Sequence, residues 1–146
     1  MRRIVRTGSR IKACERGMAA LEFVLLAPAL LMLAFAIIVY SFYFSAQMGI
    51  RHAASEAARA ATAGLGSAER ASLATSRAQT VIASYGSLLS SGGSAPSVTT
   101  SADGSGSFKV QISYDMSASP IMRYAGFLPM PASTITASAV VTNGSY

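Results

Sequence analysis

From Phe23 to Ile50 the chain carries no charged residue. The stretch FVLLAPALLMLAFAIIVYSFYFSAQMGI is long enough to cross a hydrocarbon core of about 30 Å as a helix. Pro28 lies one turn inside it, where the ring bends a helix without ending it, because lipid offers the backbone no other hydrogen-bond partner. Tyr40, Phe42, Tyr43 and Phe44 gather at the far end, the position where amphipathic rings meet headgroups. Beyond them GIRHAASEAARAATA is rich in the best helix former. It sets His52 four residues before Glu56 and Glu56 three before Arg59, so these three share a helix face. Gly64 and Gly66 supply a stop. The pattern predicts one continuous helix from about Ala19 to Ala63, half in lipid and half in water.

The polarity pattern then changes. Ser67 to Tyr85 is weakly amphipathic, with Leu73, Val81, Ile82 and Tyr85 as its main apolar positions, and predicts a second helix ending at Gly86. Residues 87–107 are dominated by serine and glycine and predict a flexible loop, with a weak strand at Val98 to Ser101. Phe108, Val110, Ile112 and Tyr114 alternate with Lys109, Gln111, Ser113 and Asp115, which marks a strand with one buried face. Ile135, Ala137, Ala139 and Val141 alternate in the same way with their polar neighbours. Pro120, Pro129 and Pro131 mark a loop between the two strands. The expected fold class is α+β: a long transmembrane helix, a second short helix and a small antiparallel sheet. The expected parts are a basic leader at 1–17, the helix at 18–63 and a small polar domain at 64–146.

Composition supports lipid as a solvent, since 51% of the 146 residues are hydrophobic and only 12% charged, about half the usual fraction. The net charge of +6 is unevenly placed. Arg2, Arg3, Arg6, Arg10, Lys12 and Arg16 face a single acid, Glu15, so the leader holds nearly all of the excess. From Met18 onward bases and acids almost balance, which leaves no basic face to track phosphates and excludes nucleic acid as a partner. A basic cluster beside an apolar run follows the positive-inside rule and puts the amino terminus in the cytoplasm.

Chemistry is sparse. Cys14 is the only cysteine, so no disulfide forms within the chain, and it follows Arg10, Ile11 and Lys12 rather than an apolar stretch, which argues against a lipidated cysteine. His52, the only histidine, has no histidine or cysteine neighbour for a metal and reads as a solvated helix residue. No serine sits in a nucleophile elbow, and the string DGSGS ending at Ser107 is too short for a phosphate loop. Asn143-Gly144-Ser145 matches a glycosylation sequon only as a short string. No catalytic site, metal or cofactor is expected, and the chain reads as non-enzymatic.

Two features remain. Ser45, Gly49, Ala53, Ala57 and Ala61 are small and recur every four residues, a ridge along which a second helix can approach closely. An alanine-rich composition produces the same row by itself. The other feature is Glu22, a carboxylate at the edge of the apolar run. Such a group costs about 2.5 to 3.5 kcal/mol at a helix centre and less near the interface. It either snorkels to the headgroups or has a partner, and position alone favours neither.

The surrounding string, ERGMAALEF over residues 15–23, places a glycine after a basic leader, then four residues, then a glutamate, then the apolar run. This resembles the processing site of type IV prepilins, where a membrane aspartyl peptidase cuts after the glycine and the apolar helix is kept. Within that group RGMAALEFVLLAPALLMLAFAII and RHAASEAARAATAG resemble the TadE-like pilus assembly proteins, pseudopilins of the tight-adherence (Flp) pilus system. The likeness covers about residues 14–64 and is weaker over the strands. Met18 departs from the phenylalanine with which secretion pseudopilins usually open, and the chain is too long for the small major Flp pilin.

The resemblance implies cleavage between Gly17 and Met18 by a prepilin peptidase, with Glu22 as the fifth mature residue. It also gives Glu22 a role in assembly, because the new Met18 ammonium lies about one helical turn from the Glu22 carboxylate, within the chain or on a neighbour. The implied function is a pseudopilin or minor pilin needed for pilus assembly. Its partners are the membrane, the peptidase and other pilin subunits; its location is the bacterial inner membrane, amino terminus cytoplasmic and carboxyl terminus periplasmic. The rival expectation is an uncleaved, signal-anchored protein whose outer domain binds a partner or ligand.

Overall fold

The computed structural model describes residues 8–90, 94–102, 106–126 and 128–142, with side chains from residue 17 onward except that of Ala125. Leader residues 1–7, part of the Ser/Gly-rich stretch (91–93), residues 103–105 of DGSGS and the sequon at Asn143 lie outside the described residues. Helix α1 spans Gly8–Ala61 and passes through Pro28. It starts earlier than the expected Ala19, so the expected boundary after Gly17 falls within a helix. Its end comes two residues before the expected Ala63. There the N–H groups of Thr62, Ala63 and Gly64 reach back only three residues, to the carbonyls of Arg59, Ala60 and Ala61, the tightened last turn common at helix ends.

The chain divides into two compact units, Met1–Ile38 and Val39–Tyr146. In the first, the described helix surface from Phe23 onward is apolar and largely exposed: Phe23, Leu25, Leu30 and Leu31 are all exposed, Leu25 at 78%. An exposed run of apolar side chains on a helix is what a lipid environment requires. The length and hydropathy of α1 suffice for one membrane crossing. The fold is therefore α+β with a single span.

In the second unit, α1 pairs with helix α2, Ser67–Ser84. Gly64 meets Arg70, Glu56 meets Arg77, and Gly49 and His52 meet Tyr85, so the two helices run antiparallel as a hairpin. The facing surfaces are mostly alanine. Ala53, Ala57 and Ala61 of α1 and Ala74 and Ala78 of α2 are buried in one cluster with Ile50 and Val81. Leu73, one of the main apolar positions of α2, is 37% exposed, while the buried positions of α2 are Ala74, Ala78 and Val81, small residues that let the backbones approach.

Both glycines expected as the stop of α1 are present, and only Gly64 is sterically required. A Cβ there would sit 2.7 Å from Arg70 Cγ and 2.8 Å from the Arg70 backbone nitrogen, whereas one on Gly66 would meet nothing within 4 Å. Neither residue has a positive φ, so close approach and not a left-handed conformation explains Gly64. The Arg70 Nε–H donates to the Gly64 carbonyl at 2.9 Å, and the Leu65 N–H donates to Glu69 Oε2 at 3.0 Å, which ties the turn to the first turn of α2. Gly64→Ala should destabilise the hairpin by about 2 kcal/mol, since the obstacle is partly backbone, while Gly66→Ala should be nearly silent. Thermal melts of the two proteins in detergent, followed by circular dichroism, check the difference. Tyr85 caps α2, and Gly86 turns the chain with φ of 52°, a conformation that strains other residues.

The sheet has the order β1-β2-β3, all antiparallel: β1 is Ser97–Ala102, β2 Ser107–Asp115 and β3 Thr134–Thr142. Central β2 sets Ile112 opposite Val98 on one side and Ala137 on the other, and Tyr114 opposite Ile135. Phe108, Val110, Ile112, Tyr114, Ile135 and Ala137 form the buried face and complete the helical core. The weak strand expected at 98–101 is thus a six-residue edge strand inside the Ser/Gly-rich stretch. That stretch also holds a 3₁₀ turn at Gly86–Leu88 and the buried Leu89.

Candidate functional site

The residues expected to carry function fall in two regions of α1. At the amino-terminal edge of the span, Gly17, Met18 and Glu22 are all exposed. Gly17 is helical, and a Cβ built on it would meet nothing within 4 Å. A glycine inside a helix weakens it locally by about 1 kcal/mol relative to alanine. Met18 and Glu22, four residues apart on α1, lie on one face, with about 6 Å of helical rise between them. Among the described residues no hydrogen bond or ion pair reaches Glu22. Its neighbours Leu21 and Phe23 are exposed and apolar.

The second region is the small-residue row. Gly49, Ala53, Ala57 and Ala61 are buried within the chain's own core, and Ser45 is exposed. The Tyr85 ring sits where a Gly49 side chain would be, with Cε1 3.2 Å and Leu89 Cδ1 3.4 Å from an added Cβ. Beside it His52 Nδ1 lies 3.2 Å from the Tyr85 hydroxyl, the two rings edge to face. One turn on, an Arg77 N–H donates to Glu56 Oε2 at 2.8 Å, and Arg59 stands 3.5 Å from the other carboxylate oxygen. The hydrogen bond from Arg77 is the main reason that the Glu56 carboxyl is held below its ordinary range, with the charges of Arg77, Arg59 and His52 adding to it. An ion pair this exposed fixes helix register more than it adds stability.

Sequence reasoning missed the attachment of the 116–133 loop to α1. The Tyr40 hydroxyl donates to the carbonyl of Pro129, and the Tyr43 hydroxyl donates to that of Ala132 at 3.4 Å. The aromatic cluster signalled the end of the span, but nothing in the sequence links positions 89 residues apart. Among the described residues no group of histidine, cysteine and acidic side chains is arranged to hold a metal.

A bare apolar helix of membrane-crossing length, one carboxylate at its edge and a small helix-and-sheet unit define a membrane-anchored protein with a single span. Residues 17–59, within the amino-terminal helix, match a family model described as TadE-like protein, so this part of the chain is similar to that family. Neither the curated proteins nor the solved structures give a significant match.

Proposed function

We propose that this chain is a pseudopilin or minor pilin of a tight-adherence (Flp) pilus, cut after Gly17 by a prepilin peptidase and packed against other subunits through its amino-terminal helix. The observation that carries the reading is the TadE-like match, which begins at Gly17, the residue that the processing string makes the last of the leader. Because the small-residue row from Gly49 to Ala61 is occupied by the chain's own fold, subunit contact falls to the exposed apolar surface between Met18 and Ile38. Glu22 is the one charge on that surface, and its carboxylate pairs with the Met18 ammonium once the leader is gone. The protein resides in the bacterial inner membrane with its amino terminus cytoplasmic, as the leader charge requires, and residues 64–146 periplasmic.

Intact mass of the protein recovered from membranes of a host with an active prepilin peptidase tests processing directly. The mature chain should begin at Met18; recovery of the full-length chain alone would overturn the proposal in favour of an uncleaved anchor. A periplasm-dependent reporter fused after Tyr146 should be active, and activity of a cytoplasm-dependent reporter there would reverse the orientation.

A further inference from the structure

The loop between β2 and β3 is built to stand at a defined height on α1. Its base is closed by the Met116 N–H donating to the Ser133 carbonyl at 2.9 Å, and the Asp115 carboxylate accepts the Ser117 N–H at 2.9 Å to start the turn. Ile121 and Met122 anchor its 3₁₀ segment, Pro120–Gly126, on the core. Its return arm is held by Tyr40 at Pro129 and by Tyr43 at Ala132. The covered face of α1 at this level is Val39, Tyr43, Ala46 and Ile50, all buried, whereas Phe42, Phe44 and Met48 are exposed.

With α1 taken as a span, counting residues puts this height at the level of a membrane surface. Counted from Glu22, the last charge before the apolar run, about 20 residues cross the hydrocarbon and end near Phe42. Tyr40 lies at the level of the aromatic belt expected there, and Tyr43, at the same level, is buried in the chain's own core. A loop fastened to their hydroxyls stands at the same level on α1. What it presents is suited to headgroups: Tyr124 at 44% exposure, the half-buried Leu128 and Met130, the exposed Pro129, and the exposed base Arg123. Aromatic and apolar groups interleaved with a base are the composition of interfacial membrane contacts, and a base near an anionic surface contributes about 1 kcal/mol.

We infer that the loop carrying Tyr124, Leu128 and Met130 is a second membrane contact, a foot that inserts these three side chains into the headgroup region of the leaflet where α1 emerges, with Arg123 on lipid phosphate. The inference rests on α1 as a span and is independent of the pilus assignment.

The chain contains no tryptophan, so single reporters are available. The full-length chain carrying Tyr124→Trp or Met130→Trp is reconstituted in vesicles of phosphatidylcholine and phosphatidylglycerol whose acyl chains bear bromine at a shallow or a deep position. Leu31→Trp reports the span, and Val140→Trp, on the outer face of β3 at 57% exposure, reports the solvent. Both loop reporters should show blue-shifted emission and lose about half of it to shallow bromine, Leu31→Trp should be quenched by deep bromine, and Val140→Trp by neither. Loop reporters that emit as in water while Leu31→Trp is quenched would overturn the foot and leave the span standing. A blue shift without bromine quenching that fades on dilution with lipid would assign the loop to a second copy of the chain, and would overturn the inference equally. Failure of Leu31→Trp to be quenched would remove the span and the foot together.

Discussion

Gly17→Ala should leave the chain at full length in a host whose prepilin peptidase cuts the parent, and should abolish its contribution to pilus assembly. The structure separates the causes that such a result usually confounds. Gly17 is exposed, and the added methyl group meets nothing within 4 Å, so the substitution places no strain on this chain. Alanine is also the better helix former by about 1 kcal/mol, so α1 gains stability. Lost cutting therefore reports events in the peptidase, where the methyl group occupies space that glycine leaves empty and the backbone is harder to open. Intact mass distinguishes the full-length chain from one beginning at Met18, and circular dichroism should show the helix content unchanged. Cutting of Gly17→Ala at the parental rate would show that Gly17 is not the residue that the peptidase reads.

How far the sequence discloses this fold depends on how strongly each element marks itself. The uncharged run after Glu22 admits one structure in lipid. Strict alternation in β2 and β3 identifies which residues face the core, and Phe108, Val110, Ile112, Tyr114, Ile135 and Ala137 are buried. Strand β1 is fainter because it is an edge strand whose only large apolar residue, Val98, is half-buried among serine and threonine. Helix α2 shows how composition misleads. Leu73 draws attention as an apolar position, yet the buried stripe is Ala74, Ala78 and Val81, since small residues permit close helix packing. The row from Ser45 to Ala61 signals that a helix comes near, and carries no information on whether that helix belongs to the same chain. The Tyr40 and Tyr43 bonds to loop carbonyls are invisible for a related reason: a backbone acceptor has no sequence signature.

The candidate site divides along the same line. Gly17 and Glu22 stand out in the sequence through their spacing around the start of the apolar run, and both are exposed on the helix, so the roles proposed for them depend on other molecules: a peptidase and neighbouring helices. Among the described residues, a Cβ on Gly17 meets nothing within 4 Å and no hydrogen bond or ion pair reaches Glu22. Substitutions there test recognition with little risk to the fold, whereas substitutions at Gly49 or Gly64 test the fold first.

Glu22→Ala should give a protein that is cut after Gly17 and inserted as well as the parent but fails to assemble. The scissile bond lies five residues away, so the peptidase has little reason to notice the change. In the membrane the carboxylate is a cost near the edge of the span, so its removal leaves insertion unchanged or mildly favoured. In the proposed packed state, with the leader removed, the balance would be opposite, because the carboxylate and the Met18 ammonium would lie one turn apart in a low dielectric and each would compensate the other. Removing one partner strands the other, at about 3 kcal/mol or roughly a hundredfold in the packing equilibrium. Glu22→Gln should fail almost as badly, since it retains the shape and discards the charge, which separates the ion pair from simple packing. Crosslinking to other pilin subunits in membranes, read beside intact mass, decides the matter. A correctly cut Glu22→Ala protein that crosslinks like the parent would show that the carboxylate merely reaches for the headgroups, and its role in assembly would have to be abandoned while the processing assignment stood.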